Sequence, residues 1–188
     1  MKKYITAIYL VVGLYLTTSE KLYCQNMRDY HIETIAFYNV ENLFDTVDDT
    51  LTFDDDRTAL GKDNWTEERY DVKIANISRV LGEIGTQESK KPPLVIGLCE
   101  IENKKVLEDL IAHPNLAQFN YRIVHYDSPD ERGIDVALLY RSQSFVVTNS
   151  QARKLMIYDE DKRDYTRDQL VVSGIRRHPG FVFKSRPG

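Results

Sequence analysis

Glu100 ends the apolar run "PLVIGLCEIEN", and Asn39 lies late in "IAFYNVENLF". A carboxylate at the end of a buried strand is costly unless it meets water or a partner. A hard ion such as Mg²⁺ takes oxygen ligands, often one or two carboxylates completed by water and substrate phosphate. Two oxygen-bearing strand ends, in a chain of alternating strands and helices, therefore suggest a site at the rim of a sheet. Residue type alone leaves alternatives open. Glu100 can face solvent or cap the helix that begins at Asn103, and Asn39 can be a turn residue helped by Glu41 and Asn42.

Other residues can be read the same way. Asp135 opens the apolar stretch "IDVALLYR", where an inward carboxylate needs a partner, and Arg132 is the nearest candidate. A surface ion pair of little energetic value is the other reading. Arg167, in "YTRDQLVV", is able to clamp a phosphate bidentately, or to sit in a charged loop with Asp164 and Asp168. The four histidines, His31, His113, His125 and His178, have no serine or cysteine in a nucleophile setting beside them. No C-x-x-C, H-E-x-x-H or glycine-rich phosphate loop occurs.

The elements that must position these residues come from periodicity. "HIETIAFYNV" is rich in β-branched and aromatic residues and predicts a strand. From Asp45 to Asp63 the chain is acidic and aperiodic, and reads as a solvated loop without the spacing of a calcium loop. Tyr70, Ile74, Ile77, Leu81 and Ile84 recur at helical spacing; Asn64 or Thr66 is able to cap the start and Gly85 to end it. Trp65 reads as a packing residue at the start of that helix. "PPLVIGLCEIE" predicts a buried central strand, and "NKKVLEDLIAH" a second helix. "NYRIVHYDS" and "IDVALLYR", joined by the turn-rich "PDERG", predict an antiparallel hairpin. "FVVTNS" and "QLVVSG" are further strands. The order predicts an α/β sandwich.

At 188 residues, 42% hydrophobic, the chain is long enough for one domain with a real core. A net charge of −4 argues against a basic nucleic-acid binder. Lys2 and Lys3 precede the apolar "YITAIYLVVGLYLTT", shorter than the about 20 residues of a membrane span. This fits a secretory signal over residues 1–25, with cleavage near Cys24–Gln25. Lipidation at Cys24 and an uncleaved anchor are the alternatives. Beyond the leader only Cys99 remains for certain, so no intrachain disulfide is expected.

Taken together, "IAFYNVENLFD", "IGLCEIEN", "SPDERGIDVALLYR" and "TRDQLVVSG" resemble the opening motifs of the endonuclease/exonuclease/phosphatase superfamily. The nearest branch is that of secreted or envelope-associated bacterial proteins, and the resemblance covers about Ile32 to Gly174. It implies a four-layer α/β sandwich: two mainly antiparallel sheets face to face, with helices outside. It also implies hydrolysis of phosphodiesters or phosphomonoesters, nucleic acid among them, with Mg²⁺ (or Mn²⁺). On this likeness Glu100 is the metal ligand, Asn39 orients catalytic groups and Arg167 contacts the scissile phosphate. Arg132 and Asp135 approach the substrate.

The later motifs of the family, resembling "NHWPSR" and "GDFN" and ending in an Asp-His pair, do not occur here. After Gly174 the chain continues as "IRRHPGFVFKSRPG", without an acid. The expectation is therefore a domain at residues 30–174 that is only an N-terminal portion, followed by a basic tail at 175–188 from a frameshift, a shortened gene model or a gene fragment. Little or no activity is expected of it, and much of the second sheet should be missing, leaving apolar strand surface exposed. A non-catalytic module that binds phosphate ligands is the rival reading.

Overall fold

The computed structural model describes residues 30–177. The expected leader at 1–25, Cys24, and His178 with the rest of the tail lie outside the described residues. A boundary falls between His31 and Ile32, and the body from Ile32 onward is described here.

The longest helix among the described residues, α1 (Glu67–Glu83), forms where the stripe predicts it: Tyr70, Ile74, Ile77 and Leu81 are all buried. Thr66 occupies the N-cap position but makes no side-chain capping bond. Gly85 follows the C-cap in the left-handed region, φ 69°, where a Cβ would also collide with the Thr34 side chain. A short helix, α2 (Thr86–Ser89), leads to strand β2 (Val95–Ile101). Then α3 (Lys104–Ala112) begins at Asn103, whose side chain accepts the Val106 N–H. One more turn of helix, α4 (Pro114–Ala117), precedes β3 (Tyr121–His125).

The main sheet has the order β1-β2-β4-β3, with β1 (Ile35–Leu43) parallel to β2 and the remaining pairs antiparallel. Strand β4 (Asp135–Arg141) pairs with β3 as the predicted hairpin. Alternation sends Ile96 and Leu98 of β2, and Ala137 and Leu139 of β4, into one core with the apolar stripes of α1 and α3. The Tyr70 hydroxyl donates to Asp109 Oδ2 at 2.8 Å and ties α1 to α3.

A second, two-stranded sheet pairs β5 (Phe145–Arg153) with β8 (Gln169–Arg176). Between them lies a hairpin, β6 (Ile157–Asp159) and β7 (Lys162–Asp164), that periodicity did not predict. Tyr126 links the sheets through its hydroxyl, 2.7 Å from Ser150 Oγ. These small, mostly antiparallel sheets with few helices are those of an incomplete α/β sandwich. On the outer face of the edge strand β1, Ile35 and Phe37 are 76% and 72% exposed, as expected of a poorly covered sheet face. Among the described residues no helix is long and apolar enough to cross a membrane.

Because Leu107 is fully buried between helix and sheet, Leu107→Ala should lower stability by about 2–5 kcal/mol. Urea unfolding followed by circular dichroism measures it; a change near zero would mean that α3 does not pack as described.

Candidate functional site

Strands β1 and β2 run in register up to the pair Asn39 and Cys99, and then both break. The register shifts between Asn39 and Leu43 on one strand and between Cys99 and Ile101 on its other ladder. The backbone turns left-handed at Glu41 (φ 54°), Asn42 (φ 61°) and Glu100 (φ 66°). That conformation costs a glutamate about 1–2 kcal/mol, and its effect is to swing a strand-end carboxylate across to the neighbouring strand.

Three bonds fix the result. Asn39 Nδ2 donates to Glu100 Oε1 at 3.0 Å, and the Asn42 N–H donates to Glu100 Oε2 at 3.1 Å. Asn39 is itself held, because its Oδ1 accepts the Glu41 N–H at 2.7 Å. From α1, Lys73 Nζ donates to the carbonyls of Glu41 and Asn42 at 2.5 and 2.9 Å. Burial lowers the Lys73 pKa, against the pull of Glu41 and Glu100.

Arg167 comes in from the segment before β8. Its Nη1 is 3.7 Å from Glu100 Oε1 and its Nε 3.8 Å from Asp130 Oδ2. Asp130 is buried and gripped bidentately by Arg132, with Nε to Oδ1 at 3.0 Å and Nη2 to Oδ2 at 2.9 Å. Burial pushes the Asp130 carboxyl up, yet the bonds from Arg132 and the charge of Arg167 hold it below the usual carboxylate range. Glu100, Arg167, Asp130 and Arg132 thus form an alternating chain of charge. Beside it lies a cleft of about 700 Å³ with Asn39, Cys99, Glu100, Arg167 and Asp168 on its polar side and Phe37, Leu138, Leu155 and Leu170 on its apolar side. Burial and the Glu100 charge raise the Cys99 pKa, so its thiol is no ready nucleophile.

Asp135 is placed elsewhere. The expected partner, Arg132, is not its partner: the turn directs that guanidinium to Asp130 instead. Asp135 accepts from His125 Nε2 at 2.9 Å, from the Ser128 N–H at 2.8 Å and from Ser128 Oγ at 2.5 Å. It lines a second, acidic cleft and not the one beside Glu100. His125, Asp127 and Asp135 form the one group of three metal-ligating side chains among the described residues whose ligand atoms lie within 4.8 Å of one another.

The arrangement resolves the expectations unevenly. Asn39, Glu100 and Arg167 come together, Arg132 joins them through Asp130, and Asp135 does not. Sequence reasoning missed Asp130, Lys73 and His125. The hairpin register was the one available signal for His125: pairing His125 with Ala137 makes Asp135 its diagonal neighbour. No sequence signal pointed to Asp130, which looks like an ordinary turn residue.

The profile of the endonuclease/exonuclease/phosphatase family matches residues 34–183. The chain belongs to that family. The match takes in both bulged strand ends, the Asp130 turn and Arg167, and runs past Gly174, where the four motifs stop. Comparison with curated proteins and with solved structures gives no match. Membership places the chain among phosphodiesterase- and nuclease-like hydrolases, a family that generally works with a metal and acts on phosphoesters or nucleic acid.

Arg132→Ala would leave Asp130 the backbone N–H of residue 132 and the loose contact to Arg167; because the Arg132 side chain is more than half exposed, the loss is about 1 kcal/mol near neutral pH. Because the folded-state pKa is depressed, this stabilisation is complete above the ordinary value of 3.8 and disappears as pH falls through the lower folded-state value. Urea titrations over a pH series should show the gap between the two proteins closing only on the acid side. A gap that does not change with pH would remove Asp130 from the explanation.

Proposed function

We propose that this chain carries the metal- and phosphate-binding part of a phosphoester-hydrolysing centre. The observation that carries the reading is Glu100: a carboxylate on a left-handed backbone, oriented by Asn39 and the Asn42 amide, with a guanidinium 3.7 Å away. The donors here are oxygens, which suits a hard ion, Mg²⁺ or Mn²⁺, and not a thiophilic one. Glu100 would hold that ion, and Asn39 would keep the carboxylate aimed. When bound, the ion supplies polarisation of a phosphoryl oxygen and charge stabilisation on the leaving group.

Arg167 is the phosphate ligand in this reading. Its contacts to Glu100 and Asp130 are longer than hydrogen bonds, so turning toward an incoming phosphate costs it little. Arg132 adds positive potential on the substrate side, while Asp130 keeps both guanidinium groups in place. Asp135 acts through structure: with His125 and Ser128 it pins the start of the turn that ends in Asp130 and Arg132. The substrate class is a phosphodiester or phosphomonoester, and a net charge of −4 gives no preference for nucleic acid. The leader-like first 25 residues support a secreted or envelope location.

Among the described residues no histidine lines the Glu100 cleft, and its other carboxylate, Asp168, accepts the Leu155 N–H at 3.3 Å. The proposal therefore includes slow turnover, with binding surviving better than hydrolysis. Three measurements on the 188-residue chain test this. Mn²⁺ binding by electron paramagnetic resonance should include a site lost in Glu100→Gln. Inorganic phosphate should bind roughly 10–100-fold more weakly to Arg167→Ala, the worth of one charge-assisted bidentate contact. Hydrolysis of bis(p-nitrophenyl) phosphate with Mg²⁺ should stay near the buffer rate. Brisk turnover abolished by Glu100→Gln would refute the low activity; metal binding indifferent to Glu100→Gln would refute the site.

A further inference from the structure

Hairpin β6–β7 rises from the wall of the Glu100 cleft. Leu155, shortly before β6, and Thr166 and Arg167, shortly after β7, all line that cleft. The Leu155 N–H donates to Asp168 Oδ1 at 3.3 Å and ties the two stems together. The contacts that fix Glu100 and Arg167 come from β1, β2 and the Asp130 turn, not from the hairpin.

The hairpin register sorts its side chains. Ile157 pairs with Asp164, Tyr158 with Arg163 and Asp159 with Lys162. Directly opposed residues share a face, and neighbours along a strand alternate. Tyr158 and Arg163 are therefore on one face, while Asp159 and Asp164 are on the other. The Arg163 guanidinium carbon lies 4.3 Å from the centre of the Tyr165 ring, which brings a second tyrosine to the same side. Tyr158 and Tyr165 are 57% and 43% exposed. Arg163 Nε is buried without a hydrogen-bond partner, and among the described residues no acid pairs with this guanidinium.

A single exposed tyrosine would need no explanation. Here two of them flank a cation that has no acid partner, at the edge of a cleft that holds an arginine facing outward. Tyr165 is two residues from Arg167, so their Cα atoms are at most about 7.6 Å apart. A phosphate on Arg167 leaves its esterified group within reach of the Tyr165 ring, which Arg163 covers on one side.

We propose that the Tyr158–Arg163–Tyr165 face is a specificity platform that stacks the planar ring of the group esterified to the phosphate, so that the site selects nucleotides over esters of sugars or aliphatic alcohols. The proposal rests on the reading of Arg167 as the phosphate ligand. Every nucleobase offers a π-face, and an aromatic side chain takes it without regard to sequence. The unpaired guanidinium adds attraction for the electron-rich ring and for a second phosphate oxygen. The acids of the hairpin strands are turned to the opposite face, so they do not oppose it.

Calorimetry on the full chain in Mg²⁺ buffer tests this with AMP and ribose 5-phosphate, which share sugar and phosphate and differ in the base. AMP should bind at least roughly tenfold more tightly than ribose 5-phosphate. Tyr165→Ala should bring AMP down to the level of ribose 5-phosphate without weakening the latter, and Tyr165→Phe should keep most of the preference. Arg163→Ala should cost AMP roughly threefold. Equal binding of the two probes by the wild type, binding of neither, or a preference that survives Tyr165→Ala would each overturn the platform. So would co-sedimentation with phosphatidylcholine vesicles that Tyr158→Ala abolishes, in the absence of any base preference; the hairpin would then be a lipid-contacting element. Arg167→Ala separates the two readings. It should weaken both probes alike and keep their ratio; ribose 5-phosphate binding indifferent to it would remove the phosphate site, while the base preference would still be read from Tyr165→Ala.

Discussion

Asn39 Nδ2 and Glu100 Oε1 meet at 3.0 Å across a sequence separation of 61 residues, and much of the candidate site depends on that contact. Two parallel strands must keep register to Asn39 and Cys99 and then abandon it together. The left-handed backbone at Glu100 is unfavourable on its own. It persists because the carboxylate gains a side-chain and a backbone donor, and because Lys73 satisfies the carbonyls that the bulge in β1 strands. Orienting a glutamate in advance removes up to about 2 kcal/mol of side-chain entropy that a ligand would otherwise have to overcome.

The charges beyond Glu100 obey the same economy. Two carboxylates and two guanidinium groups alternate, so each charge has an opposite neighbour and the partly buried site stays near neutrality. Their contacts are graded. Arg132 grips Asp130 in a fork, whereas Arg167 touches both acids only loosely. A tight pair fixes geometry and a loose one leaves a donor available; the asymmetry separates a clamped arginine from one free to turn.

The elements were legible where one local rule decided them. The stripe from Tyr70 to Leu81 declares α1, and a short turn between two alternating runs declares the β3–β4 hairpin. Glu100 was legible because an acid ending an apolar run is conspicuous. Its contact with Asn39 was not, since parallel register between distant strands leaves no local trace. Hairpin β6–β7 was hidden because "IYDEDKRD" is short and charged, with no apolar alternation to reveal it. Asp130 and Asp54 were invisible for a common reason: composition averages a polar segment, whereas burial singles out one member of it.

That distinction ties the acidic loop to the rest of the site. Left without a counter-charge, the orphaned oxygen of Asp54 would favour opening of the loop, and Phe53 would then release the Glu131 carbonyl. Glu131 lies between Asp130 and Arg132, so the fork that sets Arg132 and flanks Arg167 would loosen with it. No electrostatic action over distance is needed, because the path is one loop, one backbone hydrogen bond and one turn. The path couples the acidic loop to Arg132 and Arg167, while the bonds that hold Glu100 come from β1, braced by Lys73 of α1, and do not pass through it.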